Sequence, residues 1–376
     1  MSIDASPLHR RLWLAPLTRG GHLAFRRLCV EMGAEITVGE MIVVKRLLSS
    51  DPSEFARLKS HPDEPCFGVQ LADRNLDRLV EAARLAESRG ARFIDLNCGC
   101  PIDQMTRRGL GASLLRKPAR LGRLVAAVRD AVGVPVTVKV RLGWREGEEN
   151  VSEVARACEE AGASALTIHG RTREQRYSRA ANWDAIGRVA AERTLRVVGN
   201  GDIFSPFEAA EREKRSGVRS IMVGRGALIK PWIFRELRSG QPWLPSADDR
   251  LGVYWRLVEL MREHFGADER GRRRSLYFLP WHFGFFCRYR PLPDTPELRS
   301  RALEHPLLQS RLPLGPQDGP LDRLLADTRP ETHAALAEAL LDSGSREEAH
   351  ARARALAAAL PPTTPTEGEP ELVTEG

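Results

Sequence analysis

Residues 92–101 read Arg-Phe-Ile-Asp-Leu-Asn-Cys-Gly-Cys-Pro. An apolar, strand-favouring run (Phe93 to Leu96) ends on Asn97, and Gly99 and Pro101 then punctuate a loop carrying Cys100. A buried parallel strand that delivers polar residues into the loop beyond its carboxyl end is how an α/β barrel builds an active site. Cysteine in that place acts as nucleophile, metal ligand or proton donor, and this stretch alone leaves all three open.

Runs of the same kind recur outward from it, at 11–16, 34–38, 66–71, 135–141, 164–169, 195–199 and 219–223. Amphipathic stretches separate them, at 74–89, 119–132, 151–161, 182–192 and 206–216; Leu76, Leu79, Val80 and Ala83 keep helical spacing in the first. Eight strands alternating with helices predict a (β/α)8 TIM barrel of the α/β class over residues 1–240. A doubly wound sheet is the alternative, but no Gly-x-Gly-x-x-Gly follows the first strand. Beyond residue 240, the stretches 248–266 and 276–289 lack strand alternation, and 320–360 reads as two further helices. A smaller all-helical domain is therefore expected over 241–360. Residues 361–376 are acidic and without aromatics, which reads as a disordered tail.

The 376 residues are 42% hydrophobic, enough for a sizeable core, and carry a net charge of +7. No run approaches the ~18 apolar residues of a membrane span, and residues 1–25 lack a signal-peptide core. The expectation is a cytoplasmic monomer with no membrane partner. Only six of the 57 basic residues are lysine. GC-rich coding explains that ratio, and so does phosphate binding by guanidinium groups. The six cysteines are scattered, and the single residue between Cys98 and Cys100 is too short for zinc-ligand spacing. Neither a disulfide framework nor a metal site is expected.

Two Gly-rich turns, Gly199-Asn200-Gly201-Asp202 and Gly224-Arg225-Gly226, follow the seventh and eighth strands. Loops at those ordinals often bind phosphate, because glycine lets backbone N–H groups approach the oxygens and Arg225 adds a charge-assisted bond. Gln70 ends strand three with a donor and an acceptor suited to the pyrimidine edge of a flavin. Lys139 lies within strand five, where an unpaired charge is costly. A flavin ring that turns negative on reduction is one partner for it, and an ion pair inside the barrel is the other. Pro16-Leu17-Thr18 closes strand one and can press main chain against such a ring. With no dinucleotide fingerprint, FMN is the cofactor these residues favour.

Taken together, LAPLTRGGHLAFRRLC (14–29), GVQL (68–71), DLNCGCPID (95–103), GLGASLL (109–115), TVKVRLG (137–143), HGRTREQRY (169–177), GNGDI (199–203) and GRGALIKPWIF (224–234) resemble the tRNA-dihydrouridine synthases. The likeness is greatest to the eukaryotic-type subgroup acting on the tRNA variable loop. It implies FMN, NADPH as reductant, tRNA as partner, and a helical domain that grips RNA. It also implies hydride transfer from reduced FMN to uracil C6, with Cys100 protonating C5 as general acid. Asn97 is then expected to hold the uracil edge, and His169 and Arg171 to border flavin and substrate. Arg173, Gln175 and Tyr177 are expected near the flanking RNA, and Arg272, Arg273, Arg274, Arg288 and Arg290 on the helical domain. Cys98 stands where the family usually has a small aliphatic residue, and inert packing is expected of it. The competing readings are an FMN barrel oxidoreductase for a free pyrimidine-like molecule, and an RNA-binding protein with an inactive barrel.

Overall fold

The apolar runs form short parallel strands in a computed structural model that describes residues 4–310, 312 and 319–360. They are β1 (Leu12–Leu14), β2 (Ile36–Val38), β3 (Ile42–Val43), β4 (Phe67–Ala72), β5 (Phe93–Cys98), β6 (Val136–Arg141), β7 (Ala165–His169), β8 (Arg196–Asn200) and β9 (Ser220–Val223). Neighbours pair in parallel, β9 pairs with β1 and β2 with β4, so the sheet closes on itself. The sequence reading anticipated eight strands. The extra one arises because Thr37 pairs with Phe67 but Ile42 with Leu71. Five steps along β2–β3 thus match four along β4, and this bulge interrupts what is otherwise one stave of an eight-stave barrel. It also brings Met41 to the barrel mouth. The expected tail at 361–376 lies outside the described residues.

The amino end of the barrel is filled. Leu8, from the short 3-10 turn Ser6–His9, joins Trp13 and Phe93 there, the two rings meeting edge-on with centroids 5.7 Å apart. Polar inward residues therefore collect at the carboxyl end, and the ladder aligns them: Gln70 with Asp95, Asn97 with Lys139, Arg141 with His169, and His169 with Asn200. Helices Leu76–Ser88, Trp183–Glu192 and Pro206–Ser216 start where Asn75, Asn182 and Ser205 cap free backbone N–H groups.

The helical region begins at Ala247–Phe265, entered through a Ser246/Asp249 capping box, and continues with Glu269–Phe286. The second helix starts well before the aromatic segment expected at 276–289. Residues 320–360 hold three helices where two were expected: Pro320–Ala326, Pro330–Leu341 and Arg346–Ala359. Proline cannot continue the first, and Pro330 opens the second.

One hydrophobic core runs through barrel and helices alike. At the junction Arg27 pairs with Glu263 at 2.5 Å, and the Phe25 ring stacks on His282 at 4.7 Å. His22 Nε2 and His282 Nε2 lie 2.8 Å apart, and His22 Nδ1 accepts from the Phe25 N–H. Burial pushes both imidazoles down, His282 to about 3, so both are neutral and His22 donates through Nε2. No helix among the described residues is long and apolar enough to cross a membrane.

Candidate active site

One cleft opens at the carboxyl end of the barrel, and it gathers nearly all the residues singled out in the sequence. Pro16, Leu17, Thr18, Gln70, Asn97, Cys100, Lys139, His169, Arg171, Tyr177, Asn200, Gly201, Asp202, Gly224 and Arg225 all line it. Arg173 and Gln175 do not. Arg173 pairs with Asp103 and lies over the Trp144 ring, while Gln175 braces its own loop by accepting from the Thr172 N–H at 2.9 Å.

On the β4–β5 side a chain of hydrogen bonds sets the loop that bears the thiol. Asn97 Oδ1 accepts from the Cys100 N–H at 3.0 Å, and Asn97 Nδ2 donates to Gln70 Oε1 at 2.8 Å. Gln70 Nε2 in turn donates to Asp95 Oδ2 at 2.7 Å, and Thr137 donates to Asp95 Oδ1 at 2.6 Å. A backbone N–H at one end can only donate, so both amide orientations follow from the chain itself. Gln70 was expected to offer a donor and an acceptor to a flavin, and Asn97 to hold the uracil edge. Much of each is spent on the other, leaving one N–H on Asn97 and one N–H and one lone pair on Gln70. Burial raises the Asp95 carboxyl, against the hydrogen bonds from Thr137 and Gln70 and the charge of Lys139.

Cys100 is half-buried beside this chain, and its carbonyl accepts from the Ala112 N–H at 3.0 Å. Gly111 makes that contact possible. It has φ +58°, and a Cβ there would stand 2.6 Å from the Cys100 carbonyl oxygen. The GLGASLL segment is therefore the clamp of the Cys100 loop, a role not foreseen from the sequence. Burial raises the Cys100 thiol, while the Ile102 N–H and the charges of Arg141 and Lys139 act the other way. It rests protonated at neutral pH, yet the same groups would stabilise the thiolate left by proton donation. Cys98 points the other way, into the core between strands and helices, and is fully buried.

The β6–β9 side is cationic. Lys139 Nζ donates to Asn200 Oδ1 at 3.1 Å, and no carboxylate pairs with it among the described residues. The ion pair considered as its alternative partner is not made. Burial, then the charge of Arg141, depresses the ammonium to about 8. Arg141, two residues on and on the same face, was missed, although period-two spacing from Lys139 marks it. Its guanidinium donates to the Gly99 and Thr172 carbonyls, tying the Cys100 loop to the next one, and burial lowers it to about 10.

Arg171 is fully buried. It donates to His169 Nε2 at 3.1 Å, to the Arg179 carbonyl, and to Asp202 Oδ2 at 2.5 Å. His169 is driven well down by burial and by four neighbouring cations, so it is neutral, with its proton on Nδ1. Asp202 also takes Arg225 at 3.2 Å, and that guanidinium sits 3.8 Å from the Tyr177 ring centroid. Asp202 thus anchors arginines, where direct cofactor contact had been expected. Gly201 and Gly226 serve close packing as well: a Cβ would meet Ala181 Cβ at 2.6 Å and the Ile203 carbonyl at 2.4 Å respectively. A Cβ on Gly224 would make only ordinary contacts, with Ala15 at 3.7 Å and Leu17 at 3.8 Å.

Three further lining residues come from beyond the barrel. Trp281 and Phe285 of helix Glu269–Phe286 wall the cleft beside the β1 loop. Leu308 lines it near the loops after β7 and β8, where its neighbours Leu307 and Gln309 bond Glu208 and the Tyr177 and Arg179 carbonyls. A Cβ on Gly20 would stand 3.1 Å from Trp281, which shows how closely that helix approaches the β1 loop.

The sequence profile of the family described as Dihydrouridine synthase (Dus) matches residues 13–274. The chain belongs to the dihydrouridine synthase family. It is 41% identical over 286 residues to a rice (Oryza sativa subsp. japonica) protein named as tRNA-dihydrouridine(47) synthase-like, matching 75% of this chain and 42% of the rice protein. A human protein of that name is 38% identical over 298 residues, covering 79% of this chain and 46% of its own. A Coprinopsis cinerea tRNA-dihydrouridine(47) synthase is 40% identical over 297 residues, covering 75% and 44%. The chain spans less than half the length of these relatives. The family match ends inside helix Glu269–Phe286, so Trp281 and Phe285 lie just beyond the matched residues.

Proposed function

We propose that the protein reduces the C5=C6 bond of a uridine in tRNA to 5,6-dihydrouridine, with FMN as cofactor and NADPH as electron source. The relatives' names point to position 47, the variable loop, as the site on this chain's substrate too. The observation that carries the reading is that Cys100, a thiol whose pKa burial raises, and Lys139, which no carboxylate pairs among the described residues, line one cleft.

A buried ammonium without a carboxylate suits a ligand that carries negative charge, so the residues present fit FMN. Lys139, Gln70 and Asn200 would hold its ring, residues 16–18 would flank it, and Arg225 with the Gly224 turn would take its phosphate. When bound and reduced, FMN supplies the hydride that goes to uracil C6. Cys100 Sγ then delivers the proton to C5, and Arg141, Lys139 and the Ile102 N–H offset the charge left on sulfur. Neutral His169, fixed by Arg171, would border the ring without adding a titrating group near pH 7. The target base must leave its stack to enter, at a cost of a few kcal/mol that contacts elsewhere on the RNA offset.

Purified protein is expected to be yellow, to bleach anaerobically with NADPH, and to recolour when unmodified tRNA is added. Deleting the gene should remove dihydrouridine at one defined position when total RNA is mapped site by site. A flavin that tRNA never reoxidises, but a free pyrimidine does, would replace this reading with that of a small-molecule oxidoreductase.

A further inference from the structure

We infer that a second, separate anion site on the barrel rim grips the sugar-phosphate backbone of the RNA; this rests on the function proposed above. A hollow of about 550 Å³ lies outside the cleft, between the first turns of helices Leu76–Ser88 and Pro118–Ala131. Arg74, Arg78, Arg120 and Arg123 line it. A single buried carboxylate, Asp73, answers these four guanidinium groups, and Arg78 takes it with bonds of 2.7 and 2.8 Å. Arg120 spends one N–H on the Arg74 carbonyl at 3.0 Å. Among the described residues no carboxylate or carbonyl engages the guanidinium of Arg74 or of Arg123, and both are exposed.

Asp73 answers Arg78, but Arg74, Arg120 and Arg123 share the hollow with no carboxylate of their own among the described residues, and an anion there would relieve their mutual repulsion. Their planar forks match phosphate oxygens, and both flanking helices direct their amino ends, with partial positive charge, toward the same hollow. An isolated small anion would need only one or two of them. A polyanion uses the set.

The position suits RNA entering the cleft. In the strand order β5, which precedes the second of these helices, lies across the mouth from β9, beside which Trp281 and Phe285 form the wall, while β4, which precedes the first, lies across from β8. A nucleic acid threaded past that wall would therefore meet the arginine hollow as it leaves on the far side. Arg74 also packs against the segment that clamps the thiol loop: a Cβ on Gly109 would stand 3.0 Å from Arg74 Cδ. Backbone capture here is thus mechanically adjacent to Cys100.

The test compares the FMN-loaded double variant Arg74→Gln/Arg123→Gln with wild type, using an unmodified tRNA transcript. A second double variant, Arg156→Gln/Arg188→Gln, removes the same charge from exposed positions on the helices after β6 and β7. We expect the first variant to lose about tenfold or more in tRNA affinity. Its plot of log affinity against log salt should flatten by about 1.5, since each phosphate contact contributes roughly 0.7–0.9. Bleaching of the flavin by NADPH should be unchanged. The control pair should move affinity by less than about twofold, as expected of distant screened charges. Equal losses in both variants would mean that net charge alone acts, and the site would be abandoned. Unchanged affinity and slope in the first, with wild type active on the transcript, would also overturn it. Wild type that neither binds nor turns over the transcript would instead defeat the functional reading beneath it.

Discussion

The two sides of the cleft are built on opposite principles. Around β4 and β5 the groups are neutral amides that satisfy one another, in a directed chain from Asp95 through Gln70 and Asn97 to the Cys100 backbone. Around β6 to β9 the groups are cations: Lys139, Arg141, Arg171 and Arg225, with Asp202 as the carboxylate that binds two of them. The first side positions a reactive atom at low electrostatic cost. The second stores charge whose desolvation is repaid only when an anion arrives. A thiol that must stay protonated is best placed by amides, and an anionic cofactor is best received by cations.

The strongest way to break this division is at Cys100. Cys100→Ala should lower the single-turnover rate of uridine reduction by about 10²–10⁴-fold, the usual weight of a general acid, while flavin content is unchanged. Cys98→Ala should keep most activity, because its sulfur lies in the core and away from the cleft. The reverse pattern would exchange their roles.

A comparable loss, but of stability, is expected on the cationic side. Asp202→Asn preserves shape and tolerates the observed φ of +50°, so it isolates the charge. It leaves the fully buried Arg171 without a carboxylate, which should cost about 3–5 kcal/mol in urea unfolding. A change below about 1 kcal/mol would mean that the carboxylate does not anchor that side.

The finest test separates the sides by pH. Lys139 in the free protein loses its proton near pH 8, whereas Cys100 is raised and keeps its proton beyond the ordinary thiol range. The flavin ring that Lys139 would hold turns negative only on reduction, so above about pH 8 the reduced flavin must first restore that proton. The apoprotein's preference for reduced over oxidised FMN, read as the shift of the bound flavin's reduction potential from that of free FMN, should weaken by up to about tenfold per pH unit above 8. Lys139→Gln should remove that dependence. A slope that survives the substitution would assign the titration elsewhere.

Much of this was legible in the chain. Every predicted barrel strand and each of the five helical stretches between them has its counterpart, because apolar periodicity is a local property of successive residues. Lys139, Asn97 and Cys100 were identifiable because polar residues inside or just past a buried strand have few other reasons to be there. Arg141 was missed although the same alternation marks it. The bulge at β2–β3 was not legible, since it exists only in register against β4. Arg173 and Gln175 sit on the right loop, yet their side chains turn to Asp103 and Thr172, and loop geometry carries no simple period.

By itself, then, the order of residues determined the barrel, its open end and the chemical inventory around it, since these follow from alternation, turn residues and the cost of burying charge. Only the tertiary structure decided how that inventory is spent. Asp202 meets Arg171 and Arg225, Asn97 meets Gln70, and Trp281 reaches the loop after β1 across some 260 residues. Such partnerships depend on which distant segments close packing brings within hydrogen-bonding distance, and no local pattern encodes that.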